Sequence, residues 1–547
     1  MKLINKHILL VSIFSFSLMG IIKAQDIPKE FVNPPREFSV MPFWFWNDTL
    51  KDEEIVRQIA DFDAHGVYGF VIHPRIGLPD NMKWLSAEMI HAMDVAISEA
   101  SRRKMYVVLY DEGMYPSGSS SGQVVAKNPE HTAHGFSKID LKPGEEPTLT
   151  AGMKLVTTIN RPDGNRVAIV EQPSSTDYNR AINICLEENY YKRLGNWCKD
   201  HGISLMGHPA GSMDIGTERY FQIPGQDLVW RYVEPGPKAL EGQHSTMAKC
   251  ASSAMLHLGF RRNANELYGA YGHNLTYDEM EWLANWCFVR GQNFLIPHAF
   301  YYSIRGPRFD ERPPDVGPNA SWWKDYKPFA DACLRLSWLN TDSRQVCDLA
   351  ILCEATWLPD KSAKICYQHQ RDFNYLEVRQ LWEDAKVDSK GVHIASMNYG
   401  AIIIDSLSYL PPKAIPLLKK LAGKGRLIIR EDSKFASMFK GAMLYKTPDD
   451  LISAIDKTIS PDLILTAPSE NIRYRHVVKG SDHFYIIFNE DASDVTTKLK
   501  IPVIGNRQWL NQFTGEAINI SEDENVHFKP HELKILRVNN YFKLPSI

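Results

Sequence analysis

The 547-residue sequence is poor in the features that mark several large functional classes. It has no basic excess: 62 Lys and Arg stand against 65 Asp and Glu, for a formal net charge of -3. Nucleic acids and anionic membrane surfaces recruit positive charge, so neither is expected as a partner. No apolar run after the first two dozen residues is long enough to span a bilayer. No phosphate loop, dinucleotide fingerprint, GxSxG elbow, HExxH helix or Ser/His/Asp order stands out, which removes the usual cofactor, acyl-transfer and zinc-protease readings. The eight cysteines show no CxxC spacing, and several lie in apolar helix-like segments. Most are expected as buried free thiols, with room for one or two disulfides in an oxidising compartment.

What is present is the composition of a globular protein, 44% hydrophobic and 23% charged, with chain enough for two or three domains. Aromatics reach 11%, with 13 Trp, many before residue 330; they serve either a filled core or platforms for sugar rings. At the N-terminus Lys2 and Lys6 precede an apolar run from Ile8 to Ile22, and Ala24 is a small residue before Gln25. This reads as a secretory signal peptide over 1–24, so the mature protein is expected to be exported, periplasmic or secreted. No Cys follows the run closely, so a lipid anchor is not expected.

The stretch MYVVLYDEGMYPSG, Met105 to Gly118, organises the rest. Five apolar residues run into Asp111 and Glu112 and break at glycine and proline, as a buried strand bounded by turn residues does. The pattern recurs. GFVIHPR ends in His73 and Arg75, ISLMGHP in His208, NANELYG carries Glu266, and NFLIPHAFYY ends in His298 and Tyr301. Amphipathic helix-like segments separate these runs, which indicates βαβ units and a parallel sheet. The expected fold is α/β: a (β/α)8-like barrel over 25–345, with a β insertion at about 131–176. The fifth strand is expected in DLVWRYVEP, and the eighth is sought in VCDLAILCE, which either closes the barrel or opens the next domain. A flavodoxin-like doubly wound domain over 346–467 and a β-sandwich over 468–547 complete the expectation.

In such barrels the site sits at the C-terminal ends of the strands. Glu112 and Glu266 are therefore the leading catalytic candidates, with Glu241 in a loop as a third. A lone Glu is more often an ion-pair partner, but two at strand ends suit glycosidic cleavage, which needs paired carboxylates. His73, Arg75, Asp111, His208, Asp214, His244 and His298 are expected to bind substrate hydroxyls. Trp44, Trp46 and Tyr301 are expected in the pocket wall.

These motifs resemble those of the glycoside hydrolase family 106 α-L-rhamnosidases and their relatives. The resemblance is carried by PFWFWN at Pro42 to Asn47, GF-x-IHPR-x-GL at Gly69 to Leu78 and LYDE with PSG at Leu109 to Gly118. It continues in HP at His208, the Asp214 to Asp227 run, ALEGQHST, NELYG, FVRG-x-N, PHAFYYSI-x-G-x-R and ERPPDVGP. It implies a barrel catalytic domain, an inverting mechanism, calcium that helps hold the sugar, and roles for Glu112, Glu241 and Glu266. The tail looks more like the accessory domains of family 42 β-galactosidases. An exported exo-acting α-L-rhamnosidase follows, with a carbohydrate as partner. Its rivals are a barrel glycosidase for a uronic acid or galactose, and an inactive carbohydrate-binding protein. An inverting pair stands about 6.5–9.5 Å apart, and two of the three glutamates are expected at that separation.

Overall fold

The computed structural model describes residues 27–110, 136–149, 154–161, 164–171, 187, 191–209 and 211–539. The expected signal peptide, Asp111, Glu112, Cys185 and parts of the β insertion lie outside the described residues.

Strands and crossover helices alternate first. β1 (Phe43–Trp46), a helix (Asp52–Ala64), β2 (Gly69–Pro74), a helix (Ala87–Arg102) and β3 (Tyr106–Leu109) form two βαβ units. β4 (Phe136–Leu141), β5 (Lys154–Asn160) and β6 (Arg166–Glu171) make a separate antiparallel sheet in the order β4-β6-β5. Parallel strands resume with β7 (Met206–Gly207), β8 (Ile223–Val229), β9 (Ala264–Gly269), β10 (Phe294–Pro297) and β11 (Phe300–Tyr301). The helix before β9 (Met247–Leu258) stops at Gly259, whose φ of 69° suits the left-handed C-terminal cap. The one before β10 (Tyr277–Val289) opens on a Thr276/Glu279 capping box.

The parallel strands form two four-stranded sheets, β11-β1-β2-β3 and β10-β9-β8-β7. One bent segment joins them: β10 pairs with β9, and three residues later β11 pairs with β1. The amide of Met41 also donates to the carbonyl of Leu295 (3.0 Å). Among the described residues no pairing joins β3 to β7, so the ring of strands is open there. Gly225 lets β8 approach β7, since a Cβ there would lie 2.6 Å from the Gly207 carbonyl oxygen.

One expectation needs correction, and one pair of alternatives is decided in favour of the second. The fifth strand runs Ile223–Val229, not from Asp227 onward, because Trp230 and Arg231 turn out of the sheet with positive φ. VCDLAILCE does not close the ring: Leu349–Cys353 is an inner strand of another sheet. That sheet is parallel, in the spatial order Asn374–Glu377, Leu349–Cys353, Ala401–Ile404, Leu427–Arg430, Met443–Tyr445. Numbered along the chain this is 2-1-3-4-5, an order of doubly wound sheets.

The final region holds a six-stranded antiparallel sheet that includes Ile472–Lys479, Asp482–Asn489 and Leu533–Asn539. One face of it, through Val477, Phe484, Ile486 and Phe488, shares the core of the parallel strands; the other, through Tyr485 and Ile487, closes a small core of its own. The seven described cysteines are free and buried.

Candidate active site

Side chains alternate across each strand, so one parity faces the ring interior and the other the surrounding helices. Phe43, Phe45, Val71, Ala264, Ile296 and Tyr301 share the inner core, whereas Trp44, Trp46, Phe70, Ile72, Leu228 and Leu267 belong to the outer one. Register then fixes a layer near the strand ends: Phe45 opposite His73, and Asp227 opposite Glu266.

At the centre of that layer one donor atom each from His208, Asp227 and Glu266 falls within 4.8 Å of the others. Glu266 keeps 19% of its side chain exposed and lies 3.9 Å from His208 Nε2 on one side and 3.9 Å from His298 Nε2 on the other. His208 Nδ1 meets the carbonyl of Pro209 at 3.0 Å. A carbonyl only accepts, so that nitrogen donates to it and Nε2 is the atom turned to the carboxylates. His73 uses Nδ1 on the Pro74 carbonyl in the same way (3.1 Å). This is a second His-Pro strand end.

Burial, and after it the charge of Asp227, holds the Glu266 carboxyl well above the usual carboxylate range, while Arg75 and Arg312 pull the other way. Asp227 is also raised, first by burial, with His208 and Arg312 opposing. Two unit charges no more than 4.8 Å apart repel by about 3.5 kcal/mol or more at an effective dielectric of about 20. The pair therefore favours holding one proton between them, as close carboxylates do. Burial and then the Arg75 charge push His298 down to about 3, and the same causes hold His73 well below its usual range. Both imidazoles are neutral at pH 7, fit to exchange hydrogen bonds with hydroxyls.

Arg75 is buried across the Phe45 ring (4.5 Å) and bonds Glu311 through Nε (2.9 Å). Tyr301 stacks on Phe45 at 5.2 Å and donates to the Glu311 carbonyl (2.5 Å). It is fully buried and braces the Glu311–Arg312 loop instead of walling the pocket. Trp44 and Trp46 are likewise fully buried, packed edge to face at 5.5 Å, with Trp44 donating to Gln58 (2.8 Å). Their parity points them at the helices, which corrects the expectation of a pocket wall.

Glu241 stands apart from the cluster; its carboxylate pairs with Lys364 at 2.6 Å and is half exposed. Asp214 accepts from the Gly211 amide (3.0 Å) and is raised to about 6 by burial. His244 stacks flat on Tyr232 at 3.8 Å. Sequence reasoning missed Asp227. The signal was its spacing from Gly225 on a strand that begins earlier than expected, at Ile223.

The cluster also tests the calcium that the family resemblance implies. Asp227 Oδ1 is buried with no hydrogen-bond partner among the described residues. Calcium takes six to eight oxygen ligands, whereas these donors are two carboxylates and an imidazole, a set closer to transition-metal taste. These three donors by themselves do not make up a calcium site.

A parallel α/β ring with titratable groups at the carboxyl ends of its strands is a glycosidase-like fold. No family model matches the chain, and no curated protein does. Solved structures similar to it are glycoside hydrolases. The rhamnosidase from Novosphingobium sp. PP1Y aligns with a TM-score of 0.51 at 15% identity, covering 68% of this chain and 40% of that one. The family 42 β-galactosidase Gan42B of G. stearothermophilus aligns at TM-score 0.56 and 8% identity, over 92% of this chain and 98% of that one. The β-galactosidase from Rahnella sp. R3 reaches 0.51 at 9% identity, over 91% and 99%. This chain thus spans less than half of the rhamnosidase's length but nearly all of the β-galactosidases'. At these identities the likeness concerns the fold alone.

Proposed function

We propose that the chain is an exported, exo-acting glycoside hydrolase that removes α-L-rhamnose from polysaccharide or glycoside side chains. The observation that carries the reading is the Asp227–Glu266 pair at the strand ends, which favours the protonated form of a carboxyl that stays 19% exposed. Departure of a glycosidic oxygen needs that proton, and Glu266 supplies it as general acid. Asp227 holds the proton on Glu266 by its charge. Glu112 is the proposed base, activating water on the opposite face of the sugar; it follows β3, and β3 and β9 are separated on the ring by β2, β1 and the β10–β11 segment. The neutral His73 and His298, with Arg75 and His208, orient the hydroxyls. Asp214 and His244 are proposed to bind hydroxyls further along the substrate, as is Asp111, which lies outside the described residues.

The choice of rhamnose rests on the sequence motifs and on the fold likeness to the Novosphingobium rhamnosidase. Export rests on the basic and apolar N-terminal run. The inverting stereochemistry is taken from the resemblance. Hydrolysis of a panel of 4-nitrophenyl glycosides, with NMR of the anomer first released, tests the whole reading. Cleavage of the α-L-rhamnoside with inversion is expected. A preference for the β-D-galactoside or a β-D-glucuronide would replace the sugar, and binding without cleavage would leave a carbohydrate-binding protein. Exhaustive chelation is expected to leave turnover unchanged; loss restored by calcium would place oxygen ligands outside the described residues.

A further inference from the structure

We propose that Trp230 is the platform for the sugar ring on the leaving-group side of the scissile bond, an inference that rests on the glycosidase reading. β8 carries Asp227 on its inner face and ends at Val229; Trp230 is the next residue. Its side chain is 54% exposed, whereas Trp44, Trp46, Trp282 and Trp286 are fully buried. An exposed tryptophan alone needs no explanation. The backbone beneath this one does.

The Tyr232 amide donates to the Val229 carbonyl (3.0 Å), closing a four-residue turn whose central residues are Trp230 and Arg231. Both have positive φ, 60° and 53°. Two such residues in succession characterise a turn normally built from Asn and Gly, because bulky side chains crowd the backbone there. The strained turn is nevertheless pinned. The Trp230 amide donates to the Gly269 carbonyl (2.9 Å), and Arg231 donates to the Tyr271 carbonyl (2.8 Å) and to Glu279 (2.7 Å). Strain held in place at a mouth, around an indole that gains little packing, indicates a functional constraint on that ring.

Its surroundings say what it receives. The Arg312 guanidinium lies 5.6 Å from the ring centroid, and the charge of that same arginine acts on both Asp227 and Glu266. Platform and cation are therefore adjacent, and the cation is near enough to the acid pair for its charge to be felt there. The Glu266 side chain is mostly covered (19% exposed), whereas Trp230, two residues past Leu228 on the neighbouring strand, is open to solvent (54%). In a pocket that takes a terminal sugar, the deep end holds that sugar and the rim meets whatever it is attached to. A flat apolar face with a guanidinium beside it matches a pyranose, whose C–H face stacks while its hydroxyls accept hydrogen bonds.

The test compares α-L-rhamnosyl fluoride, which has no ring on the leaving side, with α-1,2-linked rhamnobiose. The proteins are wild type, Trp230→Gly and Trp230→Phe. Glycine fits a φ of 60°, so Trp230→Gly should melt no lower than wild type. Its kcat/KM for the disaccharide should nevertheless fall at least about tenfold further than for the fluoride, the scale of one good aromatic contact. Trp230→Phe should recover most of the difference. Equal losses on both substrates, or no loss on either, would overturn the platform while leaving the hydrolase intact. A wild-type protein that cleaves neither substrate nor any glycoside of the panel would overturn the glycosidase reading, and this inference with it; where the panel replaces rhamnose, the same comparison is made with that sugar's fluoride and disaccharide.

Discussion

Replacing Glu266 by glutamine separates a general acid from a residue that merely shapes the pocket. Glutamine keeps the size of the side chain, and the nearest imidazole nitrogens lie 3.9 Å away, so no short hydrogen bond is lost and the fold should persist. Proton donation contributes about 10²- to 10⁴-fold, which is about 2.7–5.4 kcal/mol of barrier. A sugar leaves as an alkoxide and needs that proton; 2,4-dinitrophenolate leaves without it. Glu266→Gln should therefore slow hydrolysis of a rhamnosyl disaccharide by about 10²- to 10⁴-fold, yet slow the 2,4-dinitrophenyl rhamnoside by less than about tenfold. The assay is steady-state kcat on both substrates, with circular dichroism as the check on folding. Glu112→Gln, at the proposed base, should slow both substrates alike. Near-normal activity of Glu266→Gln on the disaccharide, or equal losses on the two leaving groups, would refute the assignment.

Removing the neighbouring charge should act through pH. Burial is the main cause of the raised Glu266 and the Asp227 charge the next; Asp227→Asn takes away the second, so the basic limb of the kcat/KM profile should move to lower pH, and an unmoved limb would uncouple the pair. Away from the site, Lys249 and Asp372 are both buried and paired at 2.6 Å, and Asp372 also accepts from Gln345 at 2.6 Å. Lys249→Met strands a buried carboxylate and should cost about 3–5 kcal/mol, whereas Lys249→Met with Asp372→Leu should cost less, as urea unfolding will measure. His257 is buried between Gln380 and Tyr399, and burial pushes its pKa down to about 4. Unfolding restores a value near 6.5, so the stability it contributes is present above that pH and is lost as pH falls towards about 4. His257→Gln should flatten the decline in the urea midpoint between pH 7 and 4.5; an unchanged slope would mean that His257 does not titrate on unfolding.

Much of the secondary structure is legible in the chain because its signals are local. Apolar runs such as Phe43–Trp46 and Phe294–Pro297 bounded by turn residues mark buried strands, and the Thr276/Glu279 capping box marks a helix start. The polar residues that close those runs, His73, His208, Glu266 and His298, could be named before any coordinates, since strand ends in a parallel ring converge by topology. Which face each side chain takes is not local. Trp44 and Trp46 look like platform residues until the pairing of β1 with β2 sets Phe45 beside His73 and turns both tryptophans to the helices. Glu241 reads like its fellow glutamates until Lys364, far along the chain, neutralises it.

Asp227 needed the fold most. From sequence it opens a strand; in the structure it lies near the end of β8, in register with Glu266 on the adjacent strand. Local pattern determines where a chain can be a strand, because propensity and turn chemistry act over a few residues. Parity and register depend on which core the strand faces and on which strand lies beside it. Here they determine that two acids meet closely enough to share a proton, and that Trp230, rather than Trp44 or Trp46, is left facing solvent at the mouth.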